Sequence, residues 1–281
     1  MPDLSNKKIL YIDLAAQTYD VKILPDLNKY IGGLGLGLKL LQQNIKENPI
    51  IMAPGPLNGF FPFCSKTAVV FDDNGVTEDI YFGGRLSTRL RFAGIDALVI
   101  NGKSPVPINI DITNAEVSFK SLDTDPHSLG LPGKKVTVQK NQIDVYLDDY
   151  FFTPEKLLHT GFEKRNINAI VVTGTEIYKP KEFSKYEELY HKLLNRINDI
   201  NINKSNNPSC GNCPLGCERS KFGEIGGNVL LHSLVACQYA EKIYADVGIV
   251  FSCLNVLGYD YSHEDIEALP HLIEKTLRDL A

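Results

Sequence analysis

Residues 168–197 read NAIVVTGTEIYKPKEFSKYEELYHKLLNRI, and a change of rhythm inside this stretch decides the fold class. Asn168 to Thr173 is an apolar, β-branched run of strand length. From Tyr186 onward the apolar residues fall at Leu189, Tyr190, Leu193, Leu194 and Ile197, the spacing of one helix face. Ser184, with Glu187 three residues later, predicts a capping box at the start of that helix. The switch lies near Pro180.

Toward the N-terminus the strand rhythm dominates. Lys8–Asp13 and Tyr19–Leu24 read as a hairpin, and further strands are expected at Ile50–Ala53, Thr67–Phe71, Asp96–Asn101, Val106–Asp111, Ala115–Phe119 and Ile143–Leu147. The run Gly32-Gly33-Leu34-Gly35-Leu36-Gly37 opens a short helix. It is a poor dinucleotide fingerprint, because no βαβ unit surrounds it; a close backbone approach at a helix start is the plainer reading. Gly83-Gly84 precedes a helix over Arg85–Phe92. Toward the C-terminus helix dominates. Leu230–Leu257 is mostly apolar and helical with a break near Asp246, and Ser262 with Asp265 caps a last helix that Pro270 should kink or split. The expected fold is therefore α+β: a β-rich mixed-sheet N-terminal domain, residues 1–180, followed by a smaller all-helical domain, residues 181–281.

Composition narrows the function. The 281 residues are 43% hydrophobic and 22% charged, which is globular and not disordered. The net charge of −5 with no long basic run argues against a nucleic-acid partner. The longest apolar run, Val247–Leu257, is about half of what a bilayer needs, and no secretory signal is expected, so the chain reads as cytoplasmic. Disulfides are rare there. Clustered cysteines then point to metal or cofactor ligation.

Three of the six cysteines stand in Cys210-Gly-Asn-Cys213-Pro-Leu-Gly-Cys217. Thiolates spaced C-x2-C-x3-C on a loop with Gly211, Pro214 and Gly216 can wrap one face of a compact cluster. A [4Fe–4S] cluster takes four thiolates. A zinc loop, which would want two separated pairs, and three unligated thiols are the alternatives. Cys253 is the expected fourth ligand, with Cys237 or a partner chain's thiol as the other sources; both of these cysteines lie on apolar segments, where a lone Cys is usually core. Two basic clusters, Arg85-Arg89-Arg91 and Lys164-Arg165, suit phosphate groups or a solvated helix face. The histidines show no metal-ligand spacing, and no paired carboxylates or nucleophile motif stand out.

Taken in order, Tyr30–Leu41, Pro49–Leu57, Phe82-Gly-Gly-Arg85, Phe92–Lys103, Asn168–Thr175, the cysteine loop and Phe251–Asp260 resemble the aldehyde:ferredoxin oxidoreductase family. The resemblance implies a cytoplasmic redox protein with a [4Fe–4S] cluster, a tungsten or molybdenum pterin, ferredoxin or a redox partner chain, and a homo- or hetero-oligomer. It assigns cofactor contacts to Lys66, Gly83, Gly84, Arg85 and Arg89. The departures are Cys64-Ser65-Lys66 where the family has Ser-Gly-Arg, Tyr81-Phe82-Gly83-Gly84 where it has Asn-Ser-Gly-Gly, and His159–Arg165 in place of a Gly/Arg-rich stretch. The chain also stops early in the family's helical part. The expected function is a redox protein that needs a partner chain for catalysis, or a non-catalytic electron-transfer, assembly or partner subunit that has lost the pterin site. Apolar Leu230, Leu231, Leu234, Val235, Val247, Ile249, Val250 and Leu254 are expected to leave exposed surface.

Overall fold

The computed structural model describes residue 4, residues 6–153 and residues 156–281. A first unit comprises strands β1 (Lys7–Asp13) and β2 (Thr18–Leu24), helix α1 (Gly33–Asn44), strands β3 (Ile50–Ala53), β4 (Thr67–Asp73) and β5 (Val76–Phe82), helix α2 (Leu86–Phe92) and strand β6 (Ala97–Asn101). Its six strands form one sheet in the order β2-β1-β6-β3-β4-β5, with only the β1–β6 pair parallel. Next come β7 (Ile108–Ile112), β8 (Val117–Lys120), β9 (Lys135–Lys140), β10 (Val145–Leu147), β11 (Phe151–Phe152), helix α3 (Leu157–Arg165) and β12 (Ile167–Thr173). These strands form a second sheet, β11-β10-β9-β12-β7-β8, in which β12 and β7 are parallel. Helices α4 (Phe183–Asn195), α5 (Val229–Leu234), α6 (Glu241–Tyr244), α7 (Val247–Leu257) and α8 (His263–Leu280) follow. The fold is α+β with mixed sheets in its β-rich N-terminal part, as the sequence predicts.

The central strands β3, β4 and β6 of the first sheet are buried on both faces, which explains why they read as continuous apolar runs, whereas edge strand β2 is exposed. Ile9, Ile51, Val70 and Val99 face α1 and the C-terminal helices through Leu231, Leu254, Leu269 and Ile273. Their neighbours Leu10, Met52, Val69 and Leu98 face the second sheet, α2 and α3, among Ile110, Val138, Ile170, Leu90 and Phe162. Glycines permit the helical layer to close. A Cβ at Gly33 would lie 2.5 Å from the His232 carbonyl oxygen, and one at Gly55 would lie 2.3 Å from that of Leu234. The glycine run is thus a close backbone approach, occupied by the chain's own α5.

Several elements differ from the sequence expectation. Helix α4 starts at Phe183 with Glu182 at its cap and no side-chain capping bond, so Ser184 does not form the predicted box. The box at Ser262 and Asp265 does form. Pro270 does not split α8, since it lies on the exposed side, where water can satisfy the carbonyl left without its N–H partner. The stretch 230–257 breaks at Asp246, which caps α7, and also at Val235, whose φ of 49° ends α5 in the left-handed region. A β-branched residue is rare there and gives no sequence signal. The expected apolar exposure is small. Leu231, Leu234, Val235, Val250 and Leu254 are at most 1% exposed, Leu230 is 9% exposed, and Val247 and Ile249 are half-buried, because α1, α4 and α8 pack against α5 and α7. Among the described residues, no helix is long and apolar enough to cross a membrane.

Candidate metal centre

The loop carrying Cys210, Cys213 and Cys217 has little regular structure and is shaped by its own backbone. The Cys213 N–H donates to the Cys210 carbonyl at 2.8 Å, while Ser205 and Asn207 donate to the Leu215 and Gly216 carbonyls and close its base. Gly216 takes φ +50°, a conformation L side chains rarely adopt. Gly211 donates to the Gly84 carbonyl at 2.7 Å, and a Cβ there would press on Ser65 at 2.9 Å. The loop is therefore laid on residues 65–66 and 83–84 of the first sheet's rim.

Cys237 arrives from another direction. After Val235 the chain is extended and pairs with residues 63–66: the Lys66 N–H donates to the Val235 carbonyl at 3.1 Å, and the Cys237 N–H to the Phe63 carbonyl at 3.0 Å. Cys64 and Ala236 form an antiparallel bridge between them. The result is one narrow cavity lined by Cys210, Cys213, Cys217 and Cys237, with Lys66 and Phe63. Cys210 and Cys217 are buried, and Cys213 and Cys237 partly so. Among the described residues, no three His, Cys, Asp or Glu side chains converge as one ion would require.

Electrostatics set the chemistry of this cavity. Burial pushes the Cys213 thiol up to about 12, although the Leu215 backbone hydrogen bond opposes it. Burial also raises Cys237, and Lys66 pulls it back down. Lys66 itself is only 2% exposed. Its Nζ donates to Cys210 Sγ at 3.4 Å and to the Phe222 carbonyl at 3.2 Å. Burial alone would lower its pKa, but the facing thiols, Cys210 first, hold it above the ordinary lysine value. A buried ammonium whose neighbours are thiols suits a negatively charged metal–thiolate group.

The remaining expected site residues lie elsewhere or are covered. Cys253 is fully buried in α7 and groups with Cys64 and Tyr244, not with the loop. Gly83 and Gly84 pack against the chain itself: a Cβ on Gly83 would meet Ser220 O at 2.4 Å and Cys210 Sγ at 3.0 Å, and one on Gly84 would meet Leu147 at 2.5 Å. Segment 218–223 and β11 supply this cover, joined by the Phe152–Phe222 bridge. Arg85 is exposed, and Arg89 donates to the Gly174 and Gly133 carbonyls. Lys164 pairs with Asp73, and Arg165 donates to Gly161 and Asn48. Tyr81 Oη donates to Asp79 Oδ2 at 2.6 Å and lies 3.1 Å from His232 Nδ1, so that edge too is filled by α5. Cys237, expected from the sequence as the alternative to Cys253, lines the cavity. Its only sequence signal was its nearness to the loop.

The description "Aldehyde ferredoxin oxidoreductase, N-terminal domain" matches residues 9–144, a span that ends before the cysteine loop. The "Aliphatic sulfonate oxidoreductase, WOR-like subunit" of Pyrococcus furiosus is 30% identical over 131 residues, 41% of this chain and 21% of that protein. The tungsten-containing aldehyde ferredoxin oxidoreductase of Thermococcus kodakarensis is 32% identical over 103 residues, 33% of this chain and 17% of that protein. The matches thus span about a fifth of the curated relatives' length. Among solved structures, the active site complex BamBC of benzoyl coenzyme A reductase, in complex with 1,5-dienoyl-CoA, superposes with a TM-score of 0.63. It shares 14% identity, covering 98% of this chain and 63% of that one, which is a likeness of fold.

Proposed function

We propose, from the premise that residues 9–144 match the N-terminal domain of aldehyde ferredoxin oxidoreductases, that this chain is a member of that oxidoreductase family that holds a [4Fe–4S] cluster and transfers electrons without a pterin of its own. Cys210, Cys213, Cys217 and Cys237 are its ligands. The observation that carries the reading is the meeting of four thiols on one cavity, with the Lys66 ammonium against Cys210. Four sulfurs on one cavity match the thiolate set that a [4Fe–4S] cluster takes.

Such a cluster supplies one-electron redox chemistry when bound. The chain's own part is to hold it, to exclude water and to set its charge balance. Leu215, Phe63 and Ala240 wall the cavity with apolar surface. Lys66 stabilises added negative charge. The centre joins two units that meet near Pro180: the β-rich base, residues 1–180, supplies Lys66, and the helical part, residues 181–281, supplies the cysteines.

The residues do not fit a tungsten or molybdenum pterin at the expected contacts. Gly83 and Gly84 are covered, and Tyr81 and His232 fill the adjoining edge. This favours an electron-transfer or partner subunit over a self-sufficient aldehyde oxidase. The electron partner is ferredoxin or a redox chain in the cytoplasm. A relative named as a subunit, and a fold neighbour that is a complex, support assembly into a homo- or hetero-oligomer. Anaerobic reconstitution followed by iron, sulfide, zinc, tungsten and molybdenum analysis tests the reading. Near-equal iron and sulfide with a reducible cluster signal is expected. Stoichiometric zinc without sulfide overturns it, and aldehyde-dependent dye reduction that scales with bound tungsten or molybdenum restores the autonomous enzyme.

A further inference from the structure

A cleft of about 370 Å³ lies between the end of α2, residues 174–180 and the start of α4. It shares no lining residue with the cysteine cavity. Its volume falls in the range of small-molecule sites. The walls are aromatic. Phe92 stacks on Tyr178 with centroids 6.1 Å apart, Phe60 meets Tyr178 edge-on at 5.7 Å, and Phe183 leans on Tyr186 at 6.1 Å.

Arg89 lines this cleft and is only 8% exposed. It donates from Nη1 to Gly174 O at 3.0 Å and, at the long distance of 3.4 Å, from Nη2 to Gly133 O. Its Nε has no partner. Among the described residues it makes no ion pair; Asp148 acts on it, but burial and the neighbouring Arg85 act more strongly. A buried cation with no counter-ion is costly unless an anion joins it. Lys134 adds a second cation on the rim. The cleft's carboxylate, Glu176, lies against Gly94.

We propose that this cleft binds a planar organic anion, a flat ring system bearing a carboxylate or phosphate. The ring lies against Phe60, Phe92, Tyr178 and Phe183, and the anionic group on Arg89 and Lys134. The guanidinium, bonded to two carbonyls and set over the Phe92 ring but without a counter-ion, stands beside stacked rings and so matches both halves of such a molecule. The site is separate from the cluster centre and does not depend on it.

Calorimetric titration of the full chain with 2-naphthoate, 1-naphthyl phosphate and neutral 2-methoxynaphthalene tests this. Saturable binding of at least one anion is expected, with the neutral compound weaker by about tenfold or more, as expected for one charge-assisted contact. The tighter of the two anions identifies the carboxylate or phosphate class. Arg89→Gln should weaken the anions about tenfold and leave the neutral compound unchanged. Where that variant fails to fold, the exposed substitutions Lys134→Gln and Phe183→Ala decide: the first weakens only the anions, the second all three compounds. Equal affinity for anions and the neutral compound, no saturation by either anion, or anion binding indifferent to Arg89→Gln and Lys134→Gln overturns the proposal.

Discussion

The ammonium of Lys66 and the sulfur of Cys210 lie 3.4 Å apart, brought together across 144 residues of sequence and sealed from solvent. With a cluster bound, this charge favours the reduced, more negative state. Lys66→Met keeps the volume and removes the charge. The cluster potential should fall by tens of millivolts, on the order of 60 mV for each tenfold loss of preference for the reduced state. A redox titration followed by electron paramagnetic resonance reads this directly. An unchanged potential removes Lys66 from the centre.

Cys237 and Cys253 separate the cluster reading from its rival. Cys237→Ser should lose the cluster or leave one short of iron. Cys253→Ala should keep full iron and sulfide, and lose on the order of 1 kcal/mol of stability from the small cavity left in the core. Iron and sulfide per chain, with chemical denaturation, measure both. The opposite pattern returns Cys253 to the ligand set.

Two glycines test how the loop is docked. Gly83→Ala forces a methyl into Ser220 O and toward Cys210 Sγ. A cost of about 1–3 kcal/mol is expected, together with reduced cluster content. Gly75 has no neighbour within 4 Å but takes φ +87°. Gly75→Ala should cost about 1 kcal/mol from backbone conformation alone and leave cluster content intact. If both variants lose iron equally, the contact at Gly83 is not what seats the loop.

Asp148 gives a pH dependence. Burial raises its carboxyl above the ordinary 3.8, opposed by the Thr137 N–H and by Arg85. The folded state therefore holds this proton more tightly than the unfolded chain does. The contribution favours folding at pH below 3.8 and is lost as pH rises through the raised folded value. Asp148→Asn keeps an acceptor for the Thr137 N–H and tolerates the φ of +48°. Its stability relative to the parent should increase from pH 3 to pH 7 in paired denaturation curves. A flat or falling difference contradicts the assignment.

Much of this protein is written in local pattern. The hairpin of β1 and β2, the buried runs of β3 and β6, the capping box at Ser262 and the change from strand to helix near Pro180 all follow from short-range periodicity. So does the three-cysteine loop, because its spacing is itself the chemistry. Only the tertiary structure decides which further thiol lines the loop's cavity and what covers the expected pterin contacts. Cys237 and Cys253 both sit in apolar sequence, and only the pairing of residues 63–66 with 235–237, set by a left-handed Val235, brings Cys237 to the cavity. Gly83 and Gly84 remain compatible with a cofactor until segment 218–223 and β11 are laid against them. Spacing along the chain carries local geometry, whereas a contact between distant segments depends on how every intervening element packs.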